Sequence, residues 1–304
     1  MPYLVADELP KTSAGQRFRE ELARPGIYQL PGAHNGQAAI QAKQAGFDGL
    51  YLSGAAMTAS MGLPDLGIIT VDEVAFFIRQ IVRSSGLPLL VDGDTGYGEA
   101  LNVMHMVRTF EEAGAGAVHL EDQILPKKCG HLNGKNLVPA QDMAAKVAAA
   151  KKASRDIVIV ARTDAAGVEG YDAAVARAKL YVEAGADAIF PEALVTREMF
   201  AQFAEDLPGV PLLANMTEFG KTPFYTADEF EAWGYKMVIW PVSSLRVANK
   251  AQAKLYAVIR KDGGTHNMVD EMQTRQELYD VIGLHEYEAL DTSIVKTIVP
   301  ESIC

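Results

Sequence analysis

The chain has 304 residues, is 49% apolar and 22% charged, and carries a formal net charge of −11. That apolar share supports one large core, and the length suits an α/β barrel, which runs to about 250 residues or more as a single unit. The acidic balance argues against nucleic acid as a partner, because phosphate backbones need a basic face, yet a few local cations can still dominate a pocket for a small anion.

In chain order, eight short apolar segments read as strands: "GIYQLPGAHN" (26–35), "QAGFDGLYLSG" (44–54), "GLPLLVDGD" (86–94), "EAGAGAVHLED" (112–122), "RDIVIVARTD" (155–164), "EAGADAIFPE" (183–192), "GVPLLANMT" (209–217) and "AWGYKMVIWP" (232–241). Their near-continuous apolar character is that of strands buried on both faces. Segments of helical period, such as "DAAVARAKLYVEAG" (172–185), lie between them. The β-then-α cadence predicts a parallel sheet with crossover helices. Eight units predict a closed (β/α)8 barrel, with an open doubly wound sheet as the alternative. From Asp270 a tail of helical period leaves an extra apolar face to be buried.

The two cysteines, Cys129 and Cys304, give no disulfide framework and suit a reducing cytosol. The N-terminal stretch has no signal-type apolar core, and no apolar run is long enough to span a bilayer. A cytoplasmic protein without a membrane partner is expected.

Polar groups collect where the strands end: Ser53, Asp92, Asp94, Glu121, Asp122, Arg162, Asp164, Glu192, Asn215 and Thr217. Convergence at that end is where barrel enzymes keep their active sites. Two long strand-to-helix connections, 53–70 and 122–139, are loops expected to cover it. Asp92 and Asp94, at i and i+2, are expected to leave the strand on opposite sides. With Glu121 nearby they suit a hard cation, and Mg2+ fits better than a calcium cage. Zinc is not expected, since Cys129 and His131 lie only two apart and no second thiol or histidine pair completes a tetrahedral set.

The run "LPKKCGHLNGK" (125–135) places Cys129 beside Lys127, Lys128 and His131. Those neighbours favour the thiolate, lowering the thiol from its ordinary value of about 8.5 and fitting Cys129 to act as nucleophile or proton donor. The plainer alternative is a casual cysteine on an exposed basic loop. Arg162, at a strand tip, can clamp a carboxylate by two-point contact; by spacing alone, Arg246 and Arg275 are ordinary surface charges. No histidine shows metal spacing, and His119, inside a strand, is expected to be a hydrogen-bonded core residue.

The strings "YLSGAA", "GLPDLG", "LLVDGDTGYG", "EDQ", "KKCGH", "ARTDA", "FPEA", "NMTEFG" and "MQTR" resemble, in order, those of the 2-methylisocitrate lyases of the isocitrate lyase / phosphoenolpyruvate mutase superfamily. The resemblance implies a single barrel domain over 1–304 whose segment 270–304 packs, helix-swapped, on a neighbouring subunit, in dimers that pair as tetramers. It implies Mg2+-dependent cleavage of the tricarboxylate 2-methylisocitrate to pyruvate and succinate, with Mn2+ as a substitute ion, in the methylcitrate cycle of propionate catabolism.

Carried over by matching motif, Ser53, Gly54 and Ala55 bind the pyruvyl end, and Asp92 and Asp94 hold the metal, directly or through water, with Glu121 nearby. Cys129, Gly130, Arg162, Glu192, Asn215, Met216, Thr217, Arg246 and Arg275 contact substrate. Cys129 is the acid, with Lys127 and His131 beside it, while Tyr51, Asp65 and Glu192 are candidates for the base. An apolar wall of Phe190 and Ile239 suits an added methyl. Gly93, where relatives carry Ala or Ile, is expected to loosen its strand end. Alternatives are a lyase of the same branch acting on isocitrate or 2,3-dimethylmalate, and a non-catalytic barrel that binds a dicarboxylate.

Overall fold

A computed structural model describes residues 3–130, 132 and 134–295. His131 and Cys304 lie outside the described residues. The chain divides into two compact units, one spanning Thr12–Val247, the other made of Met1–Lys11 and Ala248–Cys304.

In the larger unit α1 (Ala14–Ala23) precedes β1 (Tyr28–Pro31), followed by α2 (Gly36–Gln44), β2 (Leu50–Leu52), α3 (Gly54–Ser60), α4 (Val71–Ser85), β3 (Leu89–Asp92) and α5 (Ala100–Ala113). The cadence continues with β4 (Ala117–Glu121), α6 (Ala140–Ala153), β5 (Val158–Thr163), α7 (Tyr171–Glu183), β6 (Ala188–Pro191), α8 (Arg197–Asp206), β7 (Leu213–Asn215), α9 (Ala227–Ala232) and β8 (Met237–Trp240). All eight expected strands form where the apolar segments predicted them. The connection 53–70, expected to be a loop, begins with α3. Ser53 caps that helix by accepting from the Ala56 N–H, as a serine at the helix entry does.

Every strand pairing is parallel. One ladder runs β2-β3-β4-β5-β6 and a second runs β1-β8-β7. Single bridges, Gly32 to Tyr51 and Ile189 to Leu212, join the two ladders into a closed barrel. Inside it, alternate residues pack together: Leu30, Tyr51, Leu90, Val158, Val160, Phe190, Leu213 and Met237 are all buried, and Phe18 of α1 sits with them against Tyr28. Between strands and helices lies the larger apolar layer, with Leu52, Ile78, Val91, Phe110, Val147, Tyr181 and Phe203 fully buried.

The smaller unit contains the residues of α10 (Ser243–Asp262) from Ala248 onward, a 3-10 turn at His266–Glu271, α11 (Arg275–Ile282) and α12 (Leu284–Val295). Within it Tyr256, Val269, Leu278, Ile282, Tyr287 and Ile294 are exposed. Among the described residues no helix is long and apolar enough to cross a membrane.

Candidate active site

The same alternation that fills the barrel interior turns polar at its C-terminal end. On β4 the inward series is Ala117, His119, Glu121; on β5 it is Val158, Val160, Arg162; on β3, Leu90 is followed by Asp92. Asp92, Glu121, Arg162 and Glu192 are all buried there. Arg162 is the hub. Its guanidinium lies 3.0 Å from Glu121, 2.9 and 3.2 Å from the two Asp164 oxygens, and 3.5 Å from Glu192. It also sits 5.2 Å above the Phe190 ring. Glu192 is aimed by the N–H of Ala193 at 2.7 Å and the amide of Asn215 at 3.2 Å.

Asp92 and Asp94 do not leave the strand on opposite sides. Residues two apart on a strand share a face, and Asp94 takes a left-handed φ of 46° that keeps its carboxylate beside its neighbour's. Both acids press on the site of a missing side chain: a Cβ on Gly54 would meet Asp92 Oδ2 at 2.8 Å and Asp94 Oδ1 at 3.3 Å. The Gly54 and Asp94 N–H groups each donate to Asp92 at 3.0 Å. Lys127 bridges Asp94 at 2.6 Å and Asp65 at 2.5 Å.

Gly93 does not loosen the strand end. Its N–H donates to the His119 carbonyl at 2.8 Å, and a Cβ would meet that same carbonyl at 2.7 Å.

Burial and neighbouring charge set the protonation states. Burial alone would raise Asp92, but His119, Lys127 and Arg162 together hold it at about 2. Burial pushes Asp94 up, and with Asp92 and Asp65 set against Lys127 it stands at about 6. Burial likewise lifts Glu121 well above the carboxylate range, against the pull of Arg162. His119 is held down to about 4 by burial, so its imidazole is neutral at pH 7 and the charge on Asp92 is balanced by the permanent cations. As expected, His119 is a bonded core residue: its Nε2 pairs with the Tyr51 hydroxyl at 2.8 Å.

The Cys129 segment lies over this cluster. Cys129 is exposed while Gly130 beside it is buried. Gln123 braces the segment, donating to the Lys128 carbonyl at 2.8 Å and accepting from the Lys128 N–H at 2.9 Å. A pocket of about 80 Å³ results, lined by Tyr51, Ser53, Ala55, Asp65, Asp92, Lys127, Lys128, Cys129, Gly130, Arg162, Phe190, Glu192, Asn215, Thr217, Pro241, Val242 and Arg246. A larger cavity of about 630 Å³ opens at the opposite end of the barrel, between Glu21, Arg24, Tyr28 and Asp48. It is distant from the charged strand tips, whereas the smaller pocket lies at the end where barrel enzymes keep their active sites.

Several expected contacts fall elsewhere. Met216 is buried, with its sulfur accepting from the Tyr225 N–H, and Ile239 packs in the barrel interior; neither lines the pocket. Gly54, Asp94 and Glu121 stand behind the lining. Arg246 is half-buried and lines the pocket, held at 2.5 Å by Glu218. Arg275 opens α11 in the smaller unit and is exposed.

Among the described residues, no three or more His, Cys, Asp or Glu are arranged to hold a metal by themselves. Asp92, Asp94 and Glu121 therefore form no closed three-carboxylate cage: Glu121 is turned to Arg162. A single water-retaining Mg2+ nevertheless fits the donor set, because it takes only one or two protein carboxylates. Lys127 and Arg162 face the carboxylates of Asp65, Asp94, Glu121 and Glu192 and act on Asp92, an excess of carboxylates, and Glu121 Oε1 is buried with no hydrogen-bond partner among the described residues.

A sequence model of the family described as phosphoenolpyruvate phosphomutase matches residues 18–260. The crystal structure of 2,3-dimethylmalate lyase, a PEP mutase/isocitrate lyase superfamily member, superposes with a TM-score of 0.89 at 36% identity, covering 96% of this chain and 99% of that one. The chain belongs to this superfamily. Within it, 2-methylisocitrate lyase of Bacillus subtilis (strain 168) is 54% identical over 301 residues, which cover 99% of this chain and 100% of the relative. Phosphonopyruvate hydrolase, solved with oxalate and Mg2+, superposes with a TM-score of 0.84 at 32% identity, covering 94% and 100%.

For this superfamily member, two residues that shape the site were not singled out as site residues from the sequence. Glu218, inside the quoted "NMTEFG", holds Arg246. Lys135, last in the quoted cysteine run, bonds Gly130 and Asp164. Both residues stand within the site motifs, but neither has a spacing that predicts its partner.

Proposed function

We propose that the chain is a carbon–carbon lyase that cleaves 2-methylisocitrate to pyruvate and succinate in the methylcitrate cycle, in the cytoplasm, with Mg2+ as resident ion and Mn2+ as a substitute. One observation carries the reading: the Cys129 segment is seated directly on the Arg162–Glu192 pair, so an acid and a carboxylate clamp share one pocket. The 54% identity to a 2-methylisocitrate lyase supports the choice of substrate.

Cleavage needs the substrate hydroxyl deprotonated, the bond to the neighbouring carbon broken, and the carbanion beside a carboxylate protonated. Arg162 and Arg246 bind substrate carboxylates by two-point contact and stabilise the charge that develops on the succinate half. Ser53 and Ala55 border the pyruvyl end. Tyr51, bonded to the neutral His119, offers a route by which the hydroxyl proton leaves; Asp65 and Glu192 are the other candidate bases. Cys129 then gives its thiol proton to the carbanion, leaving a thiolate. Asp92 and Asp94 would hold the Mg2+, directly or through water, with Glu121 behind them. When bound, that ion polarises the hydroxyl and offsets carboxylate charge. Phe190 presents the apolar wall for the methyl, a preference of about 1–3 kcal/mol at most.

A neighbouring copy belongs to the same reading. The exposed apolar side chains of α10 to α12 support burial against a second chain, in swapped dimers that form a homotetramer. The test of the activity is a lactate-dehydrogenase-coupled assay on 2-methylisocitrate with and without Mg2+. Metal-dependent pyruvate release is expected. Glyoxylate from isocitrate, or faster turnover of 2,3-dimethylmalate, would move the substrate within the branch, and no turnover of any of the three would leave only a binding barrel.

A further inference from the structure

We propose that Lys135 is a positioning residue: its one ammonium seats the Cys129 segment on the substrate clamp by bonding the Gly130 carbonyl and the Asp164 carboxylate together. The inference rests on the role of Cys129 in the lyase reading above.

Lys135 Nζ donates to Gly130 O at 2.5 Å and to Asp164 Oδ1 at 2.7 Å, with its side chain 2% exposed. A lysine in a surface connection normally keeps its ammonium in water, and burying it is costly unless it is paired. Here the pairing is complete enough to hold it inside. Asp164 is itself fixed. Its N–H donates to Asp122 at 2.9 Å, and its two oxygens accept the fork of Arg162. One carboxylate at the tip of β5 therefore sets both the guanidinium and the ammonium.

What the ammonium pins is not arbitrary. Where a Cβ of Gly130 would stand, Glu192 Cγ lies at 2.2 Å and Arg162 NH2 at 2.7 Å. The Gly130 backbone thus rests on the two side chains assigned to substrate, and its neighbour along the chain is the thiol. Lys135 does not line the pocket, so it acts through Gly130 and not by contact. Removing it leaves Arg162 its bonds to Glu121 and Asp164, but frees the residue that fixes how far the sulfur stands from the carbon to be protonated.

The experiment compares wild type, Lys135→Met and Lys135→Arg. For Lys135→Met, kcat is expected to fall about 100-fold, the scale of an ångström-level misplacement, with KM near wild type. The solvent deuterium isotope effect on kcat is expected to rise, because proton delivery becomes limiting. Arginine, which can reach both acceptors, should restore most of the loss. Wild-type kcat in Lys135→Met overturns the proposal. So does a lower kcat with an unchanged isotope effect, the mark of a merely structural loss. Should Lys135→Met fail to fold, Lys135→Gln carries the same readouts. Amide hydrogen exchange over 124–138 in the ligand-free protein separates the two readings: it should quicken in Lys135→Met whether or not 2-methylisocitrate is the substrate. Unchanged exchange sinks the seat itself, and absence of pyruvate from wild type sinks the lyase.

Discussion

Gly130 is where backbone shape and chemistry meet. Any side chain there must displace Glu192 or Arg162, since its Cβ would fall 2.2 Å from one and 2.7 Å from the other. Gly130→Ala is therefore expected to lose turnover and to weaken substrate binding, because the clamp itself is pushed aside; steady-state kcat and KM near wild type would refute that packing. Cys129 predicts a different pattern. It is exposed, so Cys129→Ser should fold and bind substrate with KM close to wild type. Its kcat should drop by about 100-fold or more, the range typical for losing a positioned proton donor. A serine variant with near-normal turnover would remove Cys129 as the acid. The two substitutions are neighbours in sequence, yet one is expected to alter KM and the other to spare it.

At the scale of elements, what holds the ring of helices to the strands can be tested at Asp187, the residue just before β6. Its carboxylate accepts from Arg19 of α1 at 3.1 Å, from Lys151 of α6 at 2.6 Å and from the Ile159 N–H of β5 at 2.9 Å. Burial alone would raise Asp187, but Arg19, Ile159 and Lys151 hold it below its ordinary 3.8. A carboxylate lowered in the folded state adds stability that is present above the unfolded value and is lost as pH falls through the folded one. Asp187→Asn should therefore be less stable than wild type at pH 7, with the gap closing below about pH 4. Urea unfolding at pH 7 and at pH 3 measures it, and an equal gap at both values would contradict the linkage.

The same scale explains what could be read in advance. Strands such as "DIVIVART" announce themselves because burial on both faces demands unbroken apolar residues, and before β4 the left-handed Gly114 ends its helix cheaply. Asp92, Glu121, Arg162 and Glu192 were legible for the same reason, as charges at the ends of apolar runs. The shared side of Asp92 and Asp94 follows from the period of two along a strand; the left-handed φ of Asp94, just past the strand end, was not legible. Nor were the bonds from Lys135 to Asp164 and from Glu218 to Arg246. These depend on which loop lies over which strand tip, and no local period encodes that.

For the molecule as a whole, the question is what covers the smaller unit. In α11 no residue is buried, and Leu278 and Ile282, one turn apart, are 38% and 39% exposed, with Tyr256 at 66% and Ile294 at 62%. The homotetramer proposed above would cover these apolar side chains, and a stable contact between copies needs about 1,000 Å² or more. Leu278→Glu combined with Ile282→Glu is expected to leave the barrel unit folded, since neither residue contributes to its core. It should break the assembly, because paired carboxylates on a desolvated face find no partner. Sedimentation velocity at micromolar concentration should give a homotetramer for wild type and smaller species for the double variant, with the far-ultraviolet dichroism of the two nearly alike. A wild-type monomer would mean these side chains meet water by design, and an unchanged tetramer in the variant would place the contact on another face.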